Sequence, residues 1–269
     1  MKTKLMAHLV ANYPDEKIAF TVAESLVKGG ADILEIQLPF SDPNADGPAI
    51  QNACSLTLEK GYKTQDALNF IKKVHEAFPQ TTIYIMSYGS LVFTPGVEEF
   101  ARKAAECGVK GLIIPDLPFD CDEGLTAACK KYGMENIPVA AFGMSDQRLS
   151  KMTKCGFEHI YAALRTGITG TETSIEQSTL DFIKKVSAGG AKVYGGFGIQ
   201  NGEQSKVLSP YVDAVVAGSV FVRIITECTC SNSCEGGKTG TEQLSVLSEK
   251  IISKARELSH TEQTVGSAS

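Results

Sequence analysis

The sequence predicts an α/β fold, a single (β/α)8 TIM barrel, from two observations. Short apolar runs alternate with amphipathic segments, and this alternation occurs eight times along the 269 residues. Such alternation indicates a parallel sheet, and eight repeats over about 250 residues are typical of a closed barrel. An open doubly wound sheet is the alternative. It favours a glycine-rich turn after the first strand, whereas Asn12-Tyr13-Pro14 stands there.

The eight predicted strands are short apolar runs that end at turn residues. They are Leu5–Ala11, Asp32–Pro39, Thr82–Ser87, Gly111–Pro115, Ile137–Phe142, His159–Leu164, Ala191–Gly195 and Ala214–Ala217. Helices are predicted between them from apolar spacing and from start and stop residues, such as Asp15 before the first helix and Gly29-Gly30 after it. These helices are Glu16–Lys28, Ala49–Lys60, Thr64–Ala77, Val97–Glu106, Glu123–Lys131, Asp146–Lys154, Ile175–Ser187, Glu203–Leu208, one from Val220 onward, and a closing helix Glu242–Leu258.

One barrel domain is expected over residues 1–258, with a polar, cysteine-rich insertion at 227–241 and a disordered tail at 259–269. Within the insertion Cys228, Cys230 and Cys234 form C-x-C-x3-C without a fourth ligand nearby, so a flexible insertion is favoured over a metal site. The other five cysteines are scattered, which is typical of reduced thiols.

The net charge is −5 and no long basic run occurs, which argues against nucleic acid and anionic membrane as partners. No apolar stretch is long enough to span a membrane, and the N-terminal residues lack the features of a signal peptide. We therefore expect a cytoplasmic protein.

Two carboxylates on and above the second strand are the candidate catalytic groups. Glu35 and Gln37 share one face of that strand with Ile33, although a strand covered on both sides is normally apolar throughout. Asp46 follows eleven residues after Glu35 in a proline-rich loop. We expect Glu35 to be dehydrated and Asp46 to lie in a wetter loop and stay ionised, so that the two play different roles.

Three glycine-rich loops after the last three strands predict a phosphate site. They are Arg165–Thr173, which could form a lid, Gly195–Ile199 and Ala217–Ser219. Glycine lets an anion approach backbone N–H groups, and Ser219 is expected at a helix N-terminus, where the dipole favours negative charge. Barrel enzymes often hold phosphate at this position.

The stretch P-F-S-D-P-N-A-D-G-P-A-I-Q after L-E-I-Q-L resembles the motif of the tryptophan synthase alpha subunit family. The likeness continues through S-L-V-F, P-D-L-P, R-T-G-I-T-G, G-F-G-I and A-G-S, over about Leu5 to Thr226. It implies an indole-3-glycerol-phosphate lyase that cleaves its substrate by a retro-aldol step into indole and glyceraldehyde 3-phosphate. It implies no metal and no cofactor in this chain, and a beta subunit as partner in an alpha2beta2 complex, with pyridoxal phosphate (PLP) in that subunit.

The resemblance also assigns roles to individual residues. Glu35 matches the general acid/base, and Asp46 matches the carboxylate that binds the indole N–H. Tyr161 matches a tyrosine near the acid, and Thr169 a lid threonine. The remaining matches are Tyr88 and Phe197 to the indole pocket and Gly170, Gly198, Gly218 and Ser219 to the phosphate cradle.

The chain departs from the family pattern at several positions. Gln37 and Ser90 stand where the family usually has Gly and Asn, and the first predicted strand lies close to the first residue, where the family has a preceding helix. Other readings remain: a stand-alone lyase that releases free indole, a non-catalytic regulator that binds the same phosphate ligand, or another phosphate-binding barrel such as a phosphosugar isomerase.

Overall fold

A closed parallel sheet surrounded by helices forms the molecule, and it confirms the predicted barrel. The computed structural model describes residues 3–164, 175–196, 198–230 and 240–259. Within these ranges the strand order is β5-β4-β3-β2-β1-β9-β8-β7-β6 and every pair is parallel. The strands are β1 Leu5–Val10, β2 Ile33–Gln37, β3 Thr82–Met86, β4 Gly111–Ile113, β5 Glu135–Asn136, β6 Val139–Ala141, β7 His159–Ala163, β8 Lys192–Gly196 and β9 Ala214–Ala217.

The fifth barrel strand is divided, which differs from the single strand predicted over Ile137–Phe142. β5 pairs with β4 and β6 pairs with β7, so the two short pieces together close the barrel. Pro138 lies between them and has no N–H for a ladder. Ile137 still donates to the carbonyl of Leu112, and the carbonyl of Pro138 accepts from Tyr161. The chain thus passes from one neighbouring strand to the other at the proline.

The helices of the described residues pack around the sheet. They are α1 Glu16–Lys28, α2 Pro48–Glu59, α3 Thr64–Ala77, α4 Gly89–Phe93, α5 Val97–Glu106, α6 Leu125–Lys131, α7 Asp146–Thr153, α8 Gln177–Ser187, α9 Gly202–Leu208, α10 Ser219–Cys230 and α11 Gly240–Ser259. Asp15 caps α1 as predicted, because its side chain accepts from the N–H of Ile18 at 2.9 Å. None of the described helices has the length and apolar character needed to cross a membrane.

The predicted insertion at 227–241 is too wide, because helix covers both of its ends. α10 continues through Cys230, where the hydroxyls of Thr226 and Thr229 bond back to carbonyls one turn earlier. α11 begins at Gly240, and Gln243 donates to the carbonyl of Cys228 at 2.5 Å, which satisfies one of the last carbonyls of α10. Residues 231–239, including Cys234, lie outside the described residues, as do 260–269 of the predicted tail. Ser259 is helical and buried.

Two apolar layers result from the alternation of side chains along the strands. The outer layer lies between sheet and helices and includes Leu34, Ile36 and Leu38. The inner layer fills the barrel and includes Ile33, Tyr84 and Tyr194. Ile33, Glu35 and Gln37 therefore face the barrel interior, as predicted from parity.

Candidate active site

Glu35 lies inside the barrel beside a histidine from the neighbouring strand. It is 3% exposed, which confirms its dehydration. The β1–β2 register pairs His8 directly with Glu35, and His8 Nδ1 lies 3.4 Å from Glu35 Oε2. Both side chains line a cavity at the carboxyl ends of the strands. A buried acid and a buried base thus form a pair in the position where barrel enzymes carry out their chemistry.

Asp46 is buried, so the prediction that it lies in a wetter environment is wrong. It is 5% exposed, and its Oδ2 accepts hydrogen bonds from Tyr88 Oη and Gln37 Nε2, both at 2.7 Å. The loop folds inward because the N–H of Asp46 donates to the carbonyl of Pro43 and Gln51 donates to the carbonyl of Asp46. Asp42 stays exposed and accepts from Ser41, so it serves as a turn residue.

The electrostatics of the cavity follow from burial and from these contacts. Burial raises the pKa of Asp46 above its usual value of 3.8, while the charge of His8 and the hydrogen bonds from Tyr88 and Gln37 oppose the rise. Burial disfavours the charged form of His8, but its hydrogen bond with Glu35 and the charges of Glu35 and Asp46 outweigh that effect and raise the pKa of His8. Burial, followed by the same two carboxylates, raises the pKa of Tyr161.

Three of the residues predicted to bind phosphate line the cavity: Gly198, Gly218 and Ser219. Gly198 has φ +86°, a left-handed conformation that suits glycine. Ser219 is the first residue of the 12-residue helix α10. The Gly218 carbonyl accepts from Phe221 and Val222, while the N–H groups of Ser219 and Val220 have no partner among the described residues. These donors and the helix dipole suit an anion.

Of the other predicted site residues, Tyr161 lines the cavity, whereas Tyr88 is fully buried behind Asp46 and stacks on Phe40 at 5.0 Å between ring centroids. Thr169, Gly170 and Phe197 lie outside the described residues. The walls between the carboxylates and the anion end are mainly apolar and comprise Ile50, Met86, Ile113, Pro115, Val139 and Val216. Such walls suit a flat aromatic ring.

His8 and Gln37 are site residues for which sequence reasoning gave no role. The sequence signal for His8 was a polar residue at an inward position of an apolar strand. Gln37 was recognised as a polar residue on the Glu35 face and as a departure from the family pattern, but neither observation assigned it a role. Within the described ranges, one further group, Glu135, Glu158 and His159, brings possible metal-ligand atoms within 4.8 Å of one another. It lies at the amino ends of the strands, away from the cavity, and Glu135 and His159 already bond to each other at 2.8 Å.

A closed parallel barrel with two buried carboxylates and a helix N-terminus on one cavity defines a (β/α)8-barrel enzyme. Comparisons then identify the family: the model of the tryptophan synthase alpha chain matches residues 1–256. The alpha chain of Helicobacter hepaticus is 38% identical over 84% of this chain and 87% of its own, and that of Methanosarcina barkeri is 36% identical over 93% and 90%.

Solved structures agree with this assignment. Mycobacterium tuberculosis tryptophan synthase has a TM-score of 0.80 at 28% identity, with 95% of this chain and 93% of the other covered. The Pyrococcus furiosus tryptophan synthase a2b2 complex gives 0.82 at 27% identity, covering 96% and 99%. The chain belongs to the tryptophan synthase alpha chain family, whose members are lyases of tryptophan biosynthesis.

Proposed function

We propose that this chain cleaves indole-3-glycerol phosphate to indole and glyceraldehyde 3-phosphate by a retro-aldol reaction. The observation that carries the proposal is the pair of buried carboxylates, Glu35 and Asp46, on one cavity with apolar walls and an anion-binding end. The substrate has the matching three parts: a flat ring, a hydroxylated chain and a phosphate. Family membership adds independent support.

The reaction needs two proton transfers and one stabilised cation. Glu35 donates a proton to C3 of the indole, which makes the ring a cationic indolenine. Glu35, now a carboxylate, then takes the proton of the hydroxyl next to the breaking bond, and the electrons of the C–C bond return to the ring to give indole. Asp46 accepts a hydrogen bond from the ring N–H and stabilises its positive charge, as a buried carboxylate does strongly.

The phosphate end has its own donors. The N–H groups of Ser219 and Val220 and the start of α10 bind the phosphate, with Gly198 and Gly218 leaving room for it. Thr169, Gly170 and Phe197 are proposed to complete the lid, cradle and ring pocket, and Tyr88 supports the indole pocket through Asp46. Tyr161 lies on the same cavity and bounds the reacting region beside Glu35.

The partner is proposed to be a tryptophan synthase beta subunit in an alpha2beta2 complex that holds PLP and consumes the indole. A related structure is an a2b2 complex of Pyrococcus furiosus, and this chain covers 99% of the matched chain. No cofactor is proposed for this chain. We place the complex in the cytoplasm, where the other steps of amino-acid biosynthesis supply its substrate.

The test measures indole formation from indole-3-glycerol phosphate by the purified chain, alone and with a beta subunit. We expect slow turnover alone and faster turnover in the complex. Glu35→Gln and Asp46→Asn should each lose at least about a hundredfold in kcat, because one positioned acid or base contributes about that much. Asp42→Asn, assayed in the isolated chain, is the matched control, since Asp42 is an exposed aspartate of the same loop.

The outcomes separate the competing readings. Indole from the isolated chain at a rate that a beta subunit does not change would favour a stand-alone lyase. Absence of indole even with the beta subunit, together with tight binding of the substrate, would favour a regulator. Conversion of a phosphosugar without any indole would favour an isomerase. Unchanged activity of both carboxylate variants would refute the mechanism.

A further inference from the structure

His8 is a buried, polar group of the cavity that the proposed mechanism does not use. It is 4% exposed and lies on β1 directly opposite Glu35 on β2. Its Nδ1 lies 3.4 Å from Glu35 Oε2. Its Nε2 is buried without a hydrogen-bond partner among the described residues. One nitrogen therefore faces the proposed acid/base, and the other is buried.

The imidazole also forms part of the cavity's anion end. A Cβ atom added to Gly218 would lie only 3.1 Å from Cβ and Cγ and 3.2 Å from Cδ2 of His8. Glycine at position 218 thus allows the ring to lie against the turn that precedes α10. His8 spans the distance between Glu35 and the turn that is proposed to bind phosphate, so its charge acts on both ends of the site.

The charges that face His8 are mostly negative. Glu35 of β2 and Asp46 of the following loop both act on His8. Tyr161 of β7 lines the same cavity, and its pKa is raised by burial and by the same two carboxylates, so it adds no charge. From β9 and α10 come the small residues Gly218 and Ser219. Two buried carboxylates favour the protonated form of a histidine between them, because a buried negative charge is costly unless a positive charge compensates it.

We propose that His8 is a positioning residue for Glu35: as an imidazolium it holds Glu35 Oε2 through Nδ1 and leaves Oε1, which carries the proton in the first step, to meet the substrate. This inference rests on the proposed function, because it assigns a role in the same reaction. When Glu35 gives its proton to the indole ring, the imidazolium already stands beside the carboxylate that forms. No proton leaves His8 in that step, so the proton balance of the reaction is unchanged.

A titration by NMR tests the pairing without any need for activity. The imidazole of His8, assigned through nitrogen-15 labelling, is followed from pH 5 to 9 in the wild type and in Glu35→Gln. We expect His8 to keep its proton to a pH at least about one unit higher in the wild type, a tenfold difference in proton affinity. Identical titrations in the two proteins would overturn the proposal.

Kinetics test the positioning role. His8→Phe keeps a ring without nitrogen and should lower kcat by at least about tenfold with a smaller effect on KM, because misplacing a reacting group by about 1 Å costs about a hundredfold. His8→Asn keeps an N–H toward Glu35 and should recover most of that loss. His75→Phe, in α3 outside the cavity, is the matched control and should stay within about twofold of wild type.

The pH profile of kcat separates positioning from mere packing. Because the pKa of His8 is raised above 6.5, the imidazolium persists above that pH and is lost as pH rises through the raised pKa. The wild type should therefore lose kcat on the alkaline side, and in His8→Asn, whose residue 8 does not titrate, that limb should lie at a different pH, because only Glu35 then sets it. Superimposable profiles and kcat values for wild type, His8→Phe and His8→Asn would contradict the proposal.

Failure of the proposed function can be told apart from failure of this inference. If the wild type makes no indole with a beta subunit present, the lyase assignment fails. The NMR difference between wild type and Glu35→Gln then still decides whether His8 holds Glu35. If indole forms normally while His8 titrates identically in the wild type and in Glu35→Gln, only the inference about His8 fails.

Discussion

At the scale of single residues, Gln37 and Tyr88 show how a carboxylate is kept inside a barrel. An ionised carboxylate only accepts hydrogen bonds, so the amide nitrogen of Gln37 must be the end that faces Asp46. Tyr88 donates to the same oxygen, Asp46 Oδ2, and accepts from the N–H of Ala45 at 3.2 Å. Together the two donors hold the Asp46 loop against β2 and β3.

Tyr88→Phe should destabilise the protein by about 1–3 kcal/mol, because it leaves Asp46 and the Ala45 N–H with one bond fewer in a buried place. The loss should be larger at pH 7 than near pH 3.5. The pKa of Asp46 in the folded protein is raised above its usual value of 3.8. The folded state is therefore most stable relative to the unfolded state below pH 3.8, and it loses stability as Asp46 ionises at higher pH. Without Tyr88 the pKa rises further and more stability is lost.

Urea unfolding of Tyr88→Phe at both pH values checks this expectation. Tyr62→Phe is the control, since the Tyr62 hydroxyl makes only an exposed contact with the N–H of Glu16 at 3.3 Å. The same loss at the two pH values would show that the hydroxyl of Tyr88 does not act through the charge of Asp46.

The site residues that were predicted from the sequence are marked by local sequence features, whereas those that were missed depend on contacts between distant parts of the chain. Glu35 is defined by parity along one strand, and both carboxylates by a local motif, so the sequence could predict them. The burial of Asp46 depends on Tyr88, which is distant in sequence. The contact of His8 with Glu35 depends on the register between β1 and β2. Neither a long-range hydrogen bond nor a register can be obtained from the periodicity of one strand.

At the scale of secondary-structure elements, the start of α10 is the feature with a functional consequence. Ser219 is 7% exposed and lines the cavity at the first helical residue. The helix follows β9 after Gly218 alone, so its N-terminus points at the same space as the carboxyl ends of the strands. The boundary between β9 and α10 therefore places the N–H groups that are proposed to bind the phosphate at the cavity.

Ser219→Ala keeps the backbone N–H but removes the side-chain hydroxyl of a residue that lines the cavity, which we propose donates a further hydrogen bond to the phosphate. It should raise KM for indole-3-glycerol phosphate by about tenfold with little change in kcat. A hydrogen bond to a charged phosphate contributes about 1.5 kcal/mol or more, and the phosphate is bound equally before and during the reaction. Steady-state kinetics measure both constants. Ser178→Ala, an exposed serine in the first turn of α8, is the control. A fall in kcat with unchanged KM would contradict the phosphate role of Ser219.

Element boundaries were predicted well where capping and apolar spacing agree. α1, α3, α5 and β9 have the predicted bounds. α4 was missed because its five residues are too few to show a helical period. The break between β5 and β6 and the continuation of α10 into a polar segment arise from pairing and from the contact with α11, which are tertiary effects.

At the scale of the whole molecule, α11 joins the last described part of the chain to the first. The N–H of Thr3 donates to the carbonyl of Ser259 at 3.1 Å, and Ser25 of α1 bonds Ser248 of α11 at 2.8 Å. Gly29, at the end of α1, lets the two helices approach closely: a Cβ there would lie 2.6 Å from the Cβ of Ala255. The last helix thus covers the first βα unit, which carries His8.

Gly29→Ala should destabilise the protein by about 1–3 kcal/mol through overpacking. Ala255→Gly alone should cost about 1 kcal/mol as a glycine in a helix. The double variant should be less destabilised than the sum of the two, because it removes the clash between the two Cβ atoms. Chemical denaturation of the four proteins gives the coupling. Strict additivity would mean that the contact with Ala255 is not what restricts the size of the side chain at position 29.

The central claim, that Glu35 performs the proton transfers of C–C cleavage, is tested most directly by a single turnover. Excess enzyme, as the complex with a beta subunit, is mixed with indole-3-glycerol phosphate, and the rate of C–C cleavage in Glu35→Gln is compared with wild type. The account predicts cleavage at least about a hundredfold slower, with substrate still bound. Cleavage by Glu35→Gln at the wild-type rate would contradict it, and the acid would then have to be sought elsewhere in the cavity.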